Sequence, residues 1–221
     1  MFAIVPHSIL NATFYLTHEK AIFWKDRKSL IVADIHLGKT GHFRKSGIGV
    51  PSAIYKEDLH RLFNMLVYFR AEQLIVVGDM FHSRHNKEFE LFKKWRKDCS
   101  GLSIELIKGN HDVVGEEWYR DANIATYETK TYDRQFSFVH DITEVNKLQD
   151  PGEFTFSGHM HPAVMLRGGG RQSLSFPCYY FRKQFGVLPA FSHFSGHMSI
   201  KPSADDYIFA IVNKSLIKIA S

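Results

Sequence analysis

The chain has 221 residues, 44% hydrophobic and 23% charged, the proportions of an ordinary globular protein. This excludes a disordered tail protein, and no apolar run approaches the ~20 residues of a membrane-crossing helix. The 28 Lys and Arg against 23 Asp and Glu leave a formal charge of +5, a mild bias toward anionic partners. The length suits one domain over residues 1–221. Met1-Phe2-Ala3-Ile4-Val5-Pro6-His7 has no basic n-region and is broken by proline, so a mature cytoplasmic protein with no membrane segment is expected. Cys99 and Cys178 have no C-x-x-C partner, which points to two reduced, buried thiols.

In chain order, the first β-rich run is Ser29-Leu30-Ile31-Val32-Ala33, leading into Asp34 and His36. A helix of about five turns follows, with Pro51 and Ser52 at its start and Ile54, Leu59, Leu62, Phe63, Leu66 and Phe69 at helical spacing. Gln73 to Val77 runs into Gly78-Asp79. A second helix over Lys87 to Asp98 sets Phe89, Phe92 and Trp95 on one side, and Lys93, Lys94, Arg96 and Lys97 form a solvated face. Ser103 to Ile107 runs into Gly109-Asn110-His111-Asp112, Gln135 to Val139 into His140-Asp141, and Phe154 to Ser157 into Gly158-His159-Met160-His161. Gly168-Gly169-Gly170 is a mobile basic loop or a tight turn. Tyr207 to Val212 and Leu216 to Ala220, joined by Asn213-Lys214, predict a hairpin. Continuous apolar runs alternating with helices, then a strand-rich tail, argue for an α/β sandwich with mixed sheets.

Ligands in α/β folds sit at strand ends. Here those ends present Asp34, His36, Asp79, Asn110, His111, His140, His159 and His161. A lone histidine there is usually a hydrogen-bonded core residue; recurrence after every apolar strand is what lifts this set. Carboxylates, imidazoles and one amide, without thiolate, suit Mn2+, Fe2+, Zn2+ or Mg2+. One carboxylate can bridge two such ions, and water held between them becomes a nucleophile near neutral pH.

This series resembles the five-block signature of the calcineurin-like metallophosphoesterases. The resemblance implies a four-layer αββα sandwich with two mixed β-sheets. It implies two divalent metal ions, Mn2+ foremost: Asp34, His36 and His161 on one, Asn110, His140 and His159 on the other, and Asp79 bridging. His111 would act on the substrate phosphate as a catalytic residue, with Asp112 beside it catalytic or fixing the turn. Phosphoprotein phosphatases of this superfamily carry an aspartate where this chain has His82, which counts against that branch and makes His82 a substrate or supporting contact.

Two further stretches resemble the bacterial ligase-associated DNA damage-response endonucleases. One is Asp34-Ile35-His36-Leu37-Gly38-Lys39 with His42-Phe43-Arg44-Lys45 and Val50-Pro51. The other starts at Gly158-His159-Met160-His161-Pro162 and includes Gln172-Ser173-Leu174, Phe176-Pro177-Cys178 and Leu188-Pro189-Ala190-Phe191. That family implies DNA as substrate and a DNA ligase or helicase as partner. On this reading Lys39, His42, Arg44 and Lys45 reach flanking phosphates and Phe43 stacks on a base. Arg167, Arg171, Arg182 and Lys183 with Tyr179, Tyr180 and Phe181 form a second basic-aromatic stretch. The expected function is a metal-dependent phosphodiesterase and DNA-repair endonuclease acting on single-stranded or flapped DNA. The alternatives are a phosphodiesterase or phosphatase for a nucleotide or nucleotide sugar, and a non-catalytic scaffold.

Overall fold

In the computed structural model the chain opens on a meander: β1 (Ile4–Ile9), β2 (Ala12–Thr17) and β3 (Ile22–Trp24), each antiparallel to its neighbour. Pro6 is tolerated because β1 is the edge strand, where a missing N–H costs no ladder bond. β4 (Ser29–Ala33) follows, antiparallel to β3; β5 (Gln73–Val77), β6 (Ser103–Ile107) and β7 (Ile124–Tyr127) then add in parallel. The crossovers carry α1 (Ala53–Phe69), α2 (Lys87–Asp98) and the short α3 (Glu116–Asp121). The structure describes residues 2–37, 53–81, 87–148, 151–168, 172–193 and 195–219. Lys39, His42, Phe43, Arg44, Lys45, Pro51, Ser52, His82 and Arg171, singled out from the sequence, lie outside them.

The second sheet is also mixed. It orders β14 (Met198–Ile200), β11 (Pro162–Arg167), β12 (Ser173–Phe181), β13 (Phe185–Val187), β10 (Phe154–Ser157), β9 (Phe136–Phe138) and β8 (Lys130–Tyr132). β15 (Tyr207–Val212) pairs with the second half of β12 and with β16 (Ser215–Ile219). The expected closing hairpin is present. Asn213 and Lys214 both have positive φ, 46° and 62°, as a type I′ turn requires.

Strand alternation divides the core. Leu30, Val32, Leu74, Val76, Ile104 and Leu106 face α1 and α2, meeting Leu59, Leu62, Met65, Phe89 and Phe92. Ile31, Ala33, Ile75 and Val77 point the other way, onto Phe136, Phe138, Phe156, Tyr179 and Phe181 of the second sheet. β4 and β5 are therefore buried on both faces, which is why their sequences are unbroken apolar runs. Phe63 departs from expectation: it is exposed, and Met65 takes a place in the core instead. The α-helices described all belong to the first core. On the opposite side of β12 and β15, Cys178, Ile208 and Ala210 form a small cluster with Val164, against which Phe176, Tyr180 and Val212 pack. Cys99 and Cys178 are free thiols.

Arg96 does not belong to the solvated face of α2. Its guanidinium is buried and donates to the carbonyls of Leu102 at 2.9 Å and Ala122 at 3.0 Å, and also to that of Cys99. It ties the end of α2 to the loop before β6 and to the end of α3.

Candidate metal centre

The parallel strands β4, β5 and β6 end at one edge, and their next residues continue side by side. The amide of Asp34 donates to Gly78 O at 3.1 Å, that of His36 to Asp79 O at 2.8 Å, and that of Leu37 to Met80 O at 2.8 Å. From the second sheet, the Gly158 amide donates to His140 O at 3.0 Å. Both sheets thus deliver their loops to one place.

Two groups of donors result. Asp34, His36 and His161 form one and Asp79, His140 and His159 the other, with the donor atoms of each within 4.8 Å of one another. They adjoin: the Asp34 carboxylate accepts the His159 amide at 3.1 Å, and its Oδ1 lies 3.9 Å from His140 Nδ1. Asn110 joins the second group, its Oδ1 3.2 Å from His140 Nε2.

The spacing suits cations. His140 Nε2 lies 3.1 Å from His159 Nδ1 and 3.5 Å from Asp79 Oδ1, and His161 Nε2 lies 3.3 Å from Asp34 Oδ1. Neighbouring donors around a first-row divalent ion, with bonds of about 2.0–2.2 Å, stand about 3.0–3.5 Å apart. Far ring nitrogens are held too. His161 Nδ1 faces Gly196 O at 2.9 Å, and His159 Nε2 lies 3.7 Å from Asp141 Oδ2. The Gly196 carbonyl accepts from His161 Nδ1, which leaves the lone pair on the inward Nε2. A donor set of carboxylates, imidazoles and an amide, so oriented, fits two divalent ions.

The backbone is bent to achieve this. Asp34, His36, Asp79, His159 and His161 all have positive φ, between 47° and 63°. That region costs an ordinary residue about 1–3 kcal/mol. Glycines make the necessary room: a Cβ on Gly78, itself at φ 77°, would overlap the His140 ring, and one on Gly109 would overlap the Asp79 carboxylate. This is the steric content of the Gly-Asp and Gly-Asn-His-Asp blocks.

His111 stands at the mouth, its side chain 44% exposed and its Nε2 4.0 Å from Asp79 Oδ2. Its amide donates to Asp79 Oδ1 at 2.9 Å. Asp112 is buried, and its two oxygens accept the amides of Phe81 and Gly109, each at 2.9 Å. Burial pushes its carboxyl up to about 7 against the opposing pull of these bonds. Asp112 thus joins the loop after β6 to the loop after β5.

The expected substrate contacts fare differently. Arg167 is exposed at the far end of β11, about 20 Å of strand beyond His161. The second basic-aromatic stretch is not a stacking platform. Tyr179 and Phe181 are buried between the sheets, the Tyr179 hydroxyl donates to Thr17 O at 2.7 Å, and Arg182 pairs with Asp206 at 2.9 Å. Strand alternation carries these aromatics inward. Beside the second donor group a cleft of about 270 Å3 is lined by Lys108, Asn110, Glu128, Asp141, Glu144 and His159. Sequence reasoning missed Asp141 as a site residue; its adjacency to His140 was the available signal.

Comparison with known proteins decides the family. The sequence matches the calcineurin-like phosphoesterases over residues 27–199 of 221. The chain belongs to that family. As a calcineurin-like phosphoesterase it is a metal-dependent hydrolase of phosphoesters. It is similar to the Pseudomonas putida nuclease MPE, with 27% identity and a TM-score of 0.81, covering 98% of this chain and 100% of that one. A phosphoesterase from E. coli, Yfce, aligns at 13% identity and TM-score 0.45 over 87% of this chain and 98% of its own. No curated protein matches the sequence. Among the described residues no helix is long and apolar enough to cross a membrane.

Proposed function

We propose that this calcineurin-like phosphoesterase is a dinuclear, Mn2+-preferring phosphodiesterase that cuts DNA strands internally during repair, acting on single-stranded or flapped DNA. The observation that carries this reading is the pair of adjoining donor groups, Asp34/His36/His161 and Asp79/His140/His159, in a chain alignable end to end with a nuclease.

When bound, two divalent ions act as Lewis acids on the phosphate and lower the pKa of water. Asp34, His36 and His161 would hold one, and Asn110, His140 and His159 the other, with the Asp79 carboxylate between them. His111, exposed at the mouth, stabilises charge on the phosphate oxygens and gives a proton from its imidazolium to the departing sugar oxygen. Asp112 is a positioning residue: by gripping the Gly109 and Phe81 amides it keeps Asn110 and His111 beside Asp79.

One feature favours a second reading, hydrolysis of a small diester such as a nucleotide or nucleotide sugar. Glu128, Asp141 and Glu144 line the cleft beside His159, and their charge repels a polyanion there. Assays with Mn2+ on circular single-stranded DNA, a flapped duplex and bis-p-nitrophenyl phosphate separate the two. Linearisation of the circle supports the endonuclease. Intact DNA beside brisk hydrolysis of the small ester supports the alternative.

A further inference from the structure

Behind Asp34 lies a largely buried charged network. Arg61 of α1 has a side chain only 11% exposed, between Asp58 at 6% and Glu19 at 19%. Its Nε lies 3.1 Å from Glu19 Oε2 and its Nη1 lies 3.5 Å from Asp58 Oδ1. Nη1 also contacts His193 Nε2, and the guanidinium carbon sits 4.1 Å over the Phe191 ring. The remaining arm, Nη2, donates to Phe191 O at 2.7 Å. Lys20, from the turn between β2 and β3, donates to the next carbonyl, Ser192 O, at 3.2 Å.

What these two cations hold is the loop segment after β13 that runs beside Ala33 and Asp34. Ala190 bridges Ala33; the Phe191 amide donates to Ala33 O at 2.8 Å and the Ser192 amide to Asp34 O at 3.3 Å. The carbonyls of Phe191 and Ser192 thus accept from the two cations, while their amides donate to Ala33 O and Asp34 O. Asp34 is where restraint is needed. It sits at φ 53°, and its carboxylate must face His161 Nε2 and the His159 amide together.

We propose that Arg61 and Lys20 form a two-point clamp that, through Phe191 and Ser192, holds Asp34 in its ligating conformation, making both positioning residues for the cation at Asp34, His36 and His161. The inference rests on the proposed dinuclear centre and adds two residues outside its motif. A buried ion cluster is weak evidence for stability in itself, because desolvation offsets its attraction. This one is directed: both cations end on the two carbonyls adjoining the Asp34 backbone. A partner that orients a ligand in this way typically alters metal affinity about 10–100-fold.

The test is Mn2+ calorimetry on the full-length parent, Arg61→Lys, Lys20→Met and Arg96→Lys. Lysine at position 61 keeps the charge but loses the fork that reaches Phe191 O and Glu19 together. Arg96→Lys is the structural control, a buried arginine bound to carbonyls away from the centre. The clamp predicts two bound Mn2+ in the parent, one of them weakened about 10–100-fold by Arg61→Lys and by Lys20→Met, and neither changed by Arg96→Lys even where its Tm falls. If Arg61→Lys fails to fold, Lys20→Met carries the test. Unchanged affinities overturn the clamp, as does an equal weakening of both sites matched by Arg96→Lys. A parent that binds no Mn2+ removes the dinuclear centre and the clamp together, an outcome distinct from a parent that binds two while its variants do the same.

Discussion

His140 Nε2 and His159 Nδ1 face each other at 3.1 Å, with their rings crossed at 79°. The far nitrogen of His159 lies 3.7 Å from Asp141 Oδ2. Asn110 Oδ1 and Asp79 Oδ1 approach His140 Nε2 as well, at 3.2 and 3.5 Å. Four donors converging on one point satisfy one another poorly and a cation well.

Removing the central carboxylate tests that convergence. Asp79→Asn is expected to lower Mn2+ stoichiometry in calorimetry and to reduce phosphodiester cleavage by about 100-fold or more. A variant that still binds two ions and cuts at the parent rate contradicts the place given to Asp79.

His111 makes the opposite separation. His111→Ala should cost about 100- to 10,000-fold in kcat while both ions remain bound, because its ring stands at the mouth and outside both donor groups. Cleavage of an oligonucleotide at the parent rate would remove His111 from the mechanism.

Gly78→Ala tests the steric reading of the motif. The new methyl meets the His140 ring at a backbone angle of φ 77°, so unfolding should show a loss of about 2 kcal/mol or more. Mn2+ affinity should fall with it. Parent-like stability would mean that His140 moves aside freely.

His7 gives a pH dependence independent of the centre. It packs on Phe181 and Phe209, with ring centroids 4.6 and 5.2 Å away, and burial with help from Lys218 lowers it from 6.5 to about 4. Above pH 6.5 the imidazole is neutral in both states; between 6.5 and about 4 only the unfolded chain takes the proton, so stability is lost across that window. His7→Phe should therefore lose less Tm than the parent when the metal-free protein is taken from pH 7 to pH 4.5. Identical losses would place the responsible groups elsewhere.

The centre was legible because its chemistry is written at strand ends, in blocks whose glycines and ligands adjoin in sequence. In the structure Asp34, His36 and His161 form one donor group and Asp79, His140 and His159 another, with Asn110 beside His140. The β1–β3 meander was not legible: Pro6 and His7 interrupt the first run, and β3 is only three residues long. Phe63 was misjudged because position 62 already supplies the core-facing residue and 63 lies about 100° round the helix. Arg96 read as surface charge, since a carbonyl partner contributed by a distant loop leaves no mark in local periodicity. Tyr179 and Phe181 read as a binding face for the same reason: the second sheet that buries them assembles from residues far apart in the chain.

The most direct measurement is anomalous diffraction from crystals grown with Mn2+. Two peaks are expected, one among Asp34, His36 and His161 and one among Asn110, His140 and His159, each touching Asp79. Crystals that diffract well and show no manganese at either position would contradict the account.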